Sequence, residues 1–356
     1  MRLSVTFFSL LLIVFCQNSF AYKDLKSYPQ NYWEINAGYR FFQATANYSS
    51  SGGSFSSLPS GYGYKLHNVD IGTRSTVPDL NMAYFTEFQI AAGESTTPYS
   101  TRTNSALTSA LIGTDFIMHQ GTFSLIPEFT FLYPFKRNDV NSDAVAINEG
   151  AMEIAGRLIA QTQWAKSRLG AYVGFTYRDE NRASLIPYGL TADYALGKWK
   201  LGADLKGYTY SNYDKDTNNE LARNAWTISS NGGSLKHYSI NPALLETHLW
   251  AQVQVSKDFV MDFGGGTTLN GSNNAAGWNA FLGLTYRVPS IIVPEKIPEV
   301  DRFKEEVSDG VNQELFQPEP PPPTIRKKQK NNIQDELDKT EMQIELKTDK
   351  KRKRQR

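Results

Sequence analysis

The sequence predicts an all-β chain, a transmembrane antiparallel up-and-down barrel of about twelve strands followed by a disordered or partly helical tail. Three observations lead there. Apolar and polar residues alternate over repeated runs of roughly ten residues, the length of a tilted strand crossing lipid. Aromatic residues are abundant, with 20 Phe, 19 Tyr and 6 Trp, and they gather near the ends of these runs. Beyond the leader, no segment approaches the roughly eighteen uninterrupted apolar residues of a membrane helix. An exported chain with such strands and no such helix satisfies its backbone in lipid by closing a sheet.

Export is read from the first residues. Met1-Arg2, the apolar stretch Leu3 to Phe15 and the small-residue site Ser19-Phe20-Ala21 form a cleaved secretory signal, residues 1–21. Cys16 follows Phe15 instead of a small residue, which departs from a lipoprotein signal. It is the chain's 1 cysteine, so the mature protein is expected to hold neither a disulfide nor a thiolate metal site. With 37 basic and 36 acidic residues the net charge is +1, which argues against nucleic acid as the partner.

The strands follow in order. Tyr32 to Ala46 turns Trp33, Ile35, Ala37, Tyr39 and Phe41 outward and Glu34, Asn36 and Arg40 inward. After a Ser/Gly-rich loop, Ser49 to Gly63, the second strand runs to about Val77, with Val69, Ile71 and Thr73 opposite Asp70 and Arg74. Pro78-Asp79 turns the chain into a third strand, where Leu80, Met82, Tyr84, Phe88 and Ile90 oppose Asn81, Glu87 and Gln89. A polar loop from Glu94 to Asn104 precedes the fourth, Ala106 to Met118, with Asp115 inward, and His119-Gln120-Gly121 is a short turn. The fifth is aromatic, Phe123, Leu125, Phe129, Phe131, Tyr133 and Phe135 facing away from Ser124, Glu128 and Thr130.

A charged loop, Lys136 to Glu149, leads to the sixth strand, Met152, Ile154, Leu158 and Trp164 against Glu153, Arg157 and Gln161. Strand seven carries Leu169, Ala171, Val173, Phe175 and Tyr177 with Arg178 opposed, and strand eight Ile186, Tyr188, Leu190, Ala192 and Tyr194. Strand nine sets Trp199, Leu201, Ala203 and Leu205 against Lys200, Asp204 and Lys206, and the longest loop, Asn212 to about His237, follows. The last three strands alternate most strictly. Leu245, Thr247, Leu249, Ala251, Val253 and Val255 oppose Glu246, His248, Gln252 and Gln254. Phe259, Met261, Phe263, Gly265 and Leu269 then oppose Asp262 and its row. Trp278, Ala280, Leu282, Leu284, Tyr286 and Val288 finally oppose Asn279, Phe281, Gly283, Thr285 and Arg287. A soluble β-sandwich or barrel also alternates, but its strands are usually shorter.

Connections that alternate long and short, and aromatic belts at strand ends, resemble the porin-like outer-membrane barrels of Gram-negative bacteria. The resemblance implies long loops outside, short turns in the periplasm, and contact with outer-membrane lipid and lipopolysaccharide. An even strand count returns the chain to the periplasm. Gly283, Tyr286 and Val288 resemble the final-strand signal of the barrel assembly machinery, with Phe281 at a usually polar position and Val288 in place of an aromatic residue. The barrel is expected over residues 22–288.

The inward rows mix charge: Glu34, Asp70, Glu87, Asp115, Glu128, Glu153, Asp204, Glu246 and Asp262 against Arg40, Arg74, Arg157, Arg178, Lys200, Lys206 and Arg287. Across water these would line a pore for passive diffusion of small hydrophilic solutes, whereas packed into ion pairs they would make a closed structural or surface-interaction barrel. His248 reads as a hydrogen-bonding group of the lumen, and His67 and His119 lack partners at metal spacing, so neither metal nor cofactor is expected. His237-Tyr238-Ser239 resembles the H-x-S pair of outer-membrane phospholipase and lipid A deacylase, in which His deprotonates an acyl-attacking Ser. Carrying the parity of Leu245 upward places His237 and Ser239 on the lipid-facing row. An orienting Asn or Glu is expected about a dozen residues on, where this chain has Ala251, with Asn241 and Glu246 nearer. The chain is therefore expected not to be an enzyme, an acyl hydrolase remaining the alternative.

Residues 289–356 change character. Pro289, Pro294 and Pro298 break the strand pattern, Pro318 to Pro323 forms an extended spacer, and Lys350 to Arg356 is a basic run. Ile333, Leu337 and Ile344 keep a helical spacing in an otherwise charged segment, which has too few apolar residues for a core. The expectation is a periplasmic tail whose basic end meets peptidoglycan or an acidic periplasmic protein.

Overall fold

A computed structural model of the protein describes residues 25–26, 32–77, 80–120, 123–139, 141–215 and 220–289. The signal segment, the Pro78-Asp79 turn, Gly121 and the tail beyond Pro289 lie outside the described residues. The chain divides into two units, Met1–Ile292 and Val293–Arg356, and only the first contains described residues.

Alternation at period two puts each strand's apolar row on one face, and a sheet with one such face closes around the other. The strands are β1 Tyr32–Tyr48, β2 Phe55–Ser57, β3 Gly63–Val77, β4 Met82–Thr96, β5 Thr101–Phe116, β6 His119–Gln120 and β7 Phe123–Pro134. They continue as β8 Glu153–Trp164, β9 Ser167–Arg178, β10 Leu185–Leu196, β11 Trp199–Tyr210, β12 Ala243–Gln254, β13 Phe259–Ser272 and β14 Asn274–Pro289. Consecutive long strands pair antiparallel throughout, β1 with β3 and β5 with β7 included, and β14 returns to pair with β1, so the sheet has no free edge among the twelve long strands; β2 and β6 are short additions on β1 and β7. Closure runs from Tyr32 opposite Pro289 to Tyr48 opposite Asn274, with a register shift between.

Exposure separates the two faces. In β12, Leu249 is 69% exposed and its neighbour Trp250 4%. The outward rows carry the exposed Ile112, Phe129, Val173, Leu190 and Phe263, with Trp33, Tyr84, Tyr133, Trp164 and Trp199 near strand ends. A bulge in β5 resets a row. Gln89 pairs with Ser109 while Ile90 pairs with Leu107, leaving Thr108 as the extra residue, its hydroxyl donating to the Gln89 carbonyl at 3.0 Å. That shift lets Leu107 face outward above the bulge while Asp115 faces inward below it.

At the end bearing Tyr32 and Pro289 the turns are tight: Trp164 pairs with Ser167 and Leu196 with Trp199, Gly197 supplying φ +61°. At the other end the longest connections are 135–152 and 211–242. The second contains a helix absent from the sequence reading, α1 Glu220–Ser230. Two strands also outrun their expected limits, since β4 reaches Thr96 and β5 begins at Thr101, shortening the Glu94 to Asn104 loop.

Candidate functional site

Inside a barrel of this size the question is what fills the bore. Cross-strand pairs place Glu34 beside Arg74, Asp115 beside Glu128, Glu128 beside Arg157, Glu153 beside Arg178 and Lys206 beside Glu246. Asp70, Glu87, Asp115, Glu128, Arg178, Asp204 and Asp262 are buried. Arg40, Arg74, Glu153, Arg157, Lys200, Lys206, Glu246 and Arg287 are partly covered.

Near the short-turn end the charges are joined. Arg74 donates through both terminal nitrogens to Asp115, at 2.6 and 2.9 Å, the two-pronged geometry a guanidinium offers a carboxylate. Glu128 accepts from Arg157 and from Lys26, whose Nζ is also 3.7 Å from Asp115. Gly189 leaves room for the Tyr172 ring, over which Arg157 lies at 4.8 Å from the centroid. Arg168 holds Asp193 at 2.5 to 3.2 Å, and Arg287 donates to Glu34 at 2.9 Å.

Midway, His248 Nε2 lies 3.1 Å from both Glu246 Oε2 and Asn279 Nδ2, and Trp250 donates to Asp204 at 3.2 Å. His248 is thus a hydrogen-bonding group facing the interior.

The long-loop end is filled by the chain itself. Val145 and Ile147 pack against Phe42, Ala44, Tyr64, Leu66, Ala91 and Ala275, which are inward residues of β1, β3, β4 and β14. Tyr64 donates to the Ala146 carbonyl at 2.7 Å and Asn104 to the Val145 carbonyl at 2.8 Å, fixing the segment to the wall. Asn231, just past α1, accepts from Ala146 N at 2.9 Å and donates to the Lys236 carbonyl at 2.6 Å, tying one loop to the other. Asn47 does the same from β1, bonding both Gly233 and Leu235.

A second set of charges locks these loops. Arg182 donates to the Glu149 carboxylate at 2.7 Å and to its carbonyl at 2.9 Å, and Arg178 reaches the same carboxylate at 3.3 Å. His237 Nδ1 lies 3.3 Å from the other Glu149 oxygen. Although burial pushes the Glu149 carboxyl up, the hydrogen bond from His237 and the charges of Arg182 and Arg178 hold it well below the usual carboxylate range. Burial lowers the His237 imidazole, which its carboxylate partner only partly offsets. Arg223 of α1 is paired with Asp214 and also donates to the Ser239 carbonyl at 3.2 Å.

The lipid-facing placement of His237 and Ser239 is therefore wrong. β12 begins at Ala243, so the parity of Leu245 does not extend to residue 237, and His237 and Tyr238 have φ of +64° and +56° in a loop. Ser239 is 2% exposed, enclosed with Arg223, and the described partner of His237 is Glu149.

The chain is similar in structure to the COG4313 outer membrane channel from Pseudomonas putida F1, at a TM-score of 0.53 and 11% identity over 74% of this chain and 98% of that one. The fold is that of an outer-membrane β-barrel. Weaker likenesses are to the translocator domain of the autotransporter NalP from Neisseria meningitidis and the NanC porin. Their TM-scores are 0.43 and 0.42, their identities 11% and 6%, over 75% and 72% of this chain and 92% and 100% of theirs. No protein-family model matches the sequence, and no curated protein matches it.

Sequence reasoning missed Lys26, Glu149, Arg182, Asp214, Arg223 and the apolar mouth. One signal was available. From Phe42 through Tyr48 the alternation of β1 inverts, the apolar row Phe42, Ala44, Ala46 and Tyr48 being the inward set while Gln43, Thr45 and Asn47 take the other row, which marks an apolar interior at this end of the strand.

Proposed function

We propose that the barrel is a channel for passive diffusion of small hydrophilic solutes, its bore narrowed by its own loops. The observation that carries this is the state of the cations on the inward rows: Arg40, Lys200, Lys206 and Arg287 are only partly buried, whereas a solid core would bury them. In a planar bilayer the protein should give small conductance steps, and reversing charge at Arg40 or Arg157 should shift the ratio of cation to anion permeability. A bilayer that stays silent overturns the channel reading.

A structural or surface-interaction barrel is the second reading, favoured by the apolar closure of Val145 and Ile147 against Tyr64 and Leu66. Outer-membrane lipid, lipopolysaccharide and the assembly machinery are the partners proposed for the wall. For the tail we propose a periplasmic tether to peptidoglycan or an acidic protein, tested by salt-dependent co-sedimentation of the full chain with and without residues 350–356.

A further inference from the structure

Among the first 31 residues, only Leu25 and Lys26 are described, and both are inside the barrel, 3% and 8% exposed. Their seat is specific. Gln161 of β8 accepts from the Lys26 backbone N at 2.8 Å and donates to the Lys26 carbonyl at 2.9 Å, reading residue 26 as one strand reads another. The ammonium group is bonded to Glu128, lies 3.7 Å from Asp115 and 5.4 Å from the centre of the Phe85 ring. Leu25 fills the space left open by Gly170 of β9, where any Cβ would run into its Cδ2. These wall residues belong to β4, β5, β7, β8 and β9, on the side away from the 135–152 loop, so this is a closure distinct from the apolar mouth.

We propose that Leu25 and Lys26 form an intramolecular plug at the short-turn end, latched by Gln161 and the two carboxylates, and that solute passes only when the latch is released. The inference rests on the channel reading. The physical case is that a backbone clamp and a charge-assisted bond hold the same residue, while the long aliphatic stem of lysine occupies bore that water and solute would otherwise use. A latch made of one residue's contacts is also reversible, because each contact is worth little more than a decade in the equilibrium.

The test uses the full chain. Its 1 cysteine lies in the signal segment, so the pair Leu25→Cys and Gly170→Cys introduces the only thiols expected in the exported protein. Mild oxidation should join them, hold the conductance at its closed level, and be undone by a reductant. Separately, Lys26→Met should raise the time spent in the open state by roughly tenfold, the change expected for loss of one charge-assisted contact, and Lys26→Arg should restore the closed level. If the pair does not cross-link and Lys26→Met conducts like the parent, the segment does not occupy the lumen and the proposal is wrong. If the link forms and conductance is the same in both redox states, the segment is seated but closes nothing, which also overturns it. Efficient cross-linking with no conductance in any variant would show instead that the channel reading has failed, taking the gating role with it.

Discussion

At the residue scale the interior is organised by carboxylates that serve two cations. Glu128 accepts from Lys26 and Arg157, and Asp115 takes both prongs of Arg74 with Lys26 beside it. Truncating a buried acceptor strands its partners, which costs about 3–5 kcal/mol. Asp115→Ala should therefore unfold at lower temperature, read as the point where a heated sample loses its fast migration on a denaturing gel; an unchanged transition would mean that the pair is solvated. The loop cluster carries a pH dependence. His237 has its imidazole lowered by burial, so the unfolded chain binds the proton more readily, and stability of the loop packing falls as pH drops below about 6.5. Glu149 is also lowered, so its contribution persists until pH falls below the ordinary value of 4.5 toward its own. Protease sensitivity of the 211–242 loop should rise between about pH 7 and about pH 5, and His237→Gln should flatten that upper part of the profile. Equal cleavage at both pH values would contradict the assignment.

At the element scale the 135–152 loop is the decisive piece. Gly93 of β4 has no side chain because a Cβ there would approach Ile147 Cγ2 at 2.8 Å and Val145 Cγ1 at 3.1 Å. Gly93→Val should push the loop out of the mouth at a cost of about 1–3 kcal/mol, since overpacking forces neighbours to shift. Limited proteolysis should then cut within 135–152 while the barrel stays heat-modifiable; cleavage no faster than in the parent would show that the loop is held elsewhere. The strands were legible because period-two alternation acts locally, and even the bulged β5 kept Asp115 inward. The loop was not. Ala144, Val145, Ala146 and Ile147 are four apolar residues in a polar loop, too few to signal an element, and their burial depends on wall residues a hundred positions away in sequence, such as Phe42. The His237 error has a similar origin, because a parity argument holds only as far as the strand does, and β12 stops at Ala243.

At the scale of the whole molecule, closure of β14 on β1 removes every long free edge, which is what permits a sheet to live in lipid. The charged residues read from the sequence are buried or partly covered, and their neighbours along the strands form the exposed apolar band. Opposite charges on one row do not by themselves say whether water lies between them. That depends on loops and on Lys26, which close the two ends by separate means. Unboiled and boiled samples should migrate differently and the protein should fractionate with outer membranes; recovery in soluble form would contradict the fold's setting. The central claim, a channel through the lumen whose long-loop end is filled by Ile147 and its neighbours, is tested most directly by single-channel recording of the parent beside Ile147→Asp. An ionised carboxylate is not tolerated in that apolar cluster, so the loop should leave the mouth and the conductance steps should grow. Steps of equal size in both proteins, or none in either, would contradict the account.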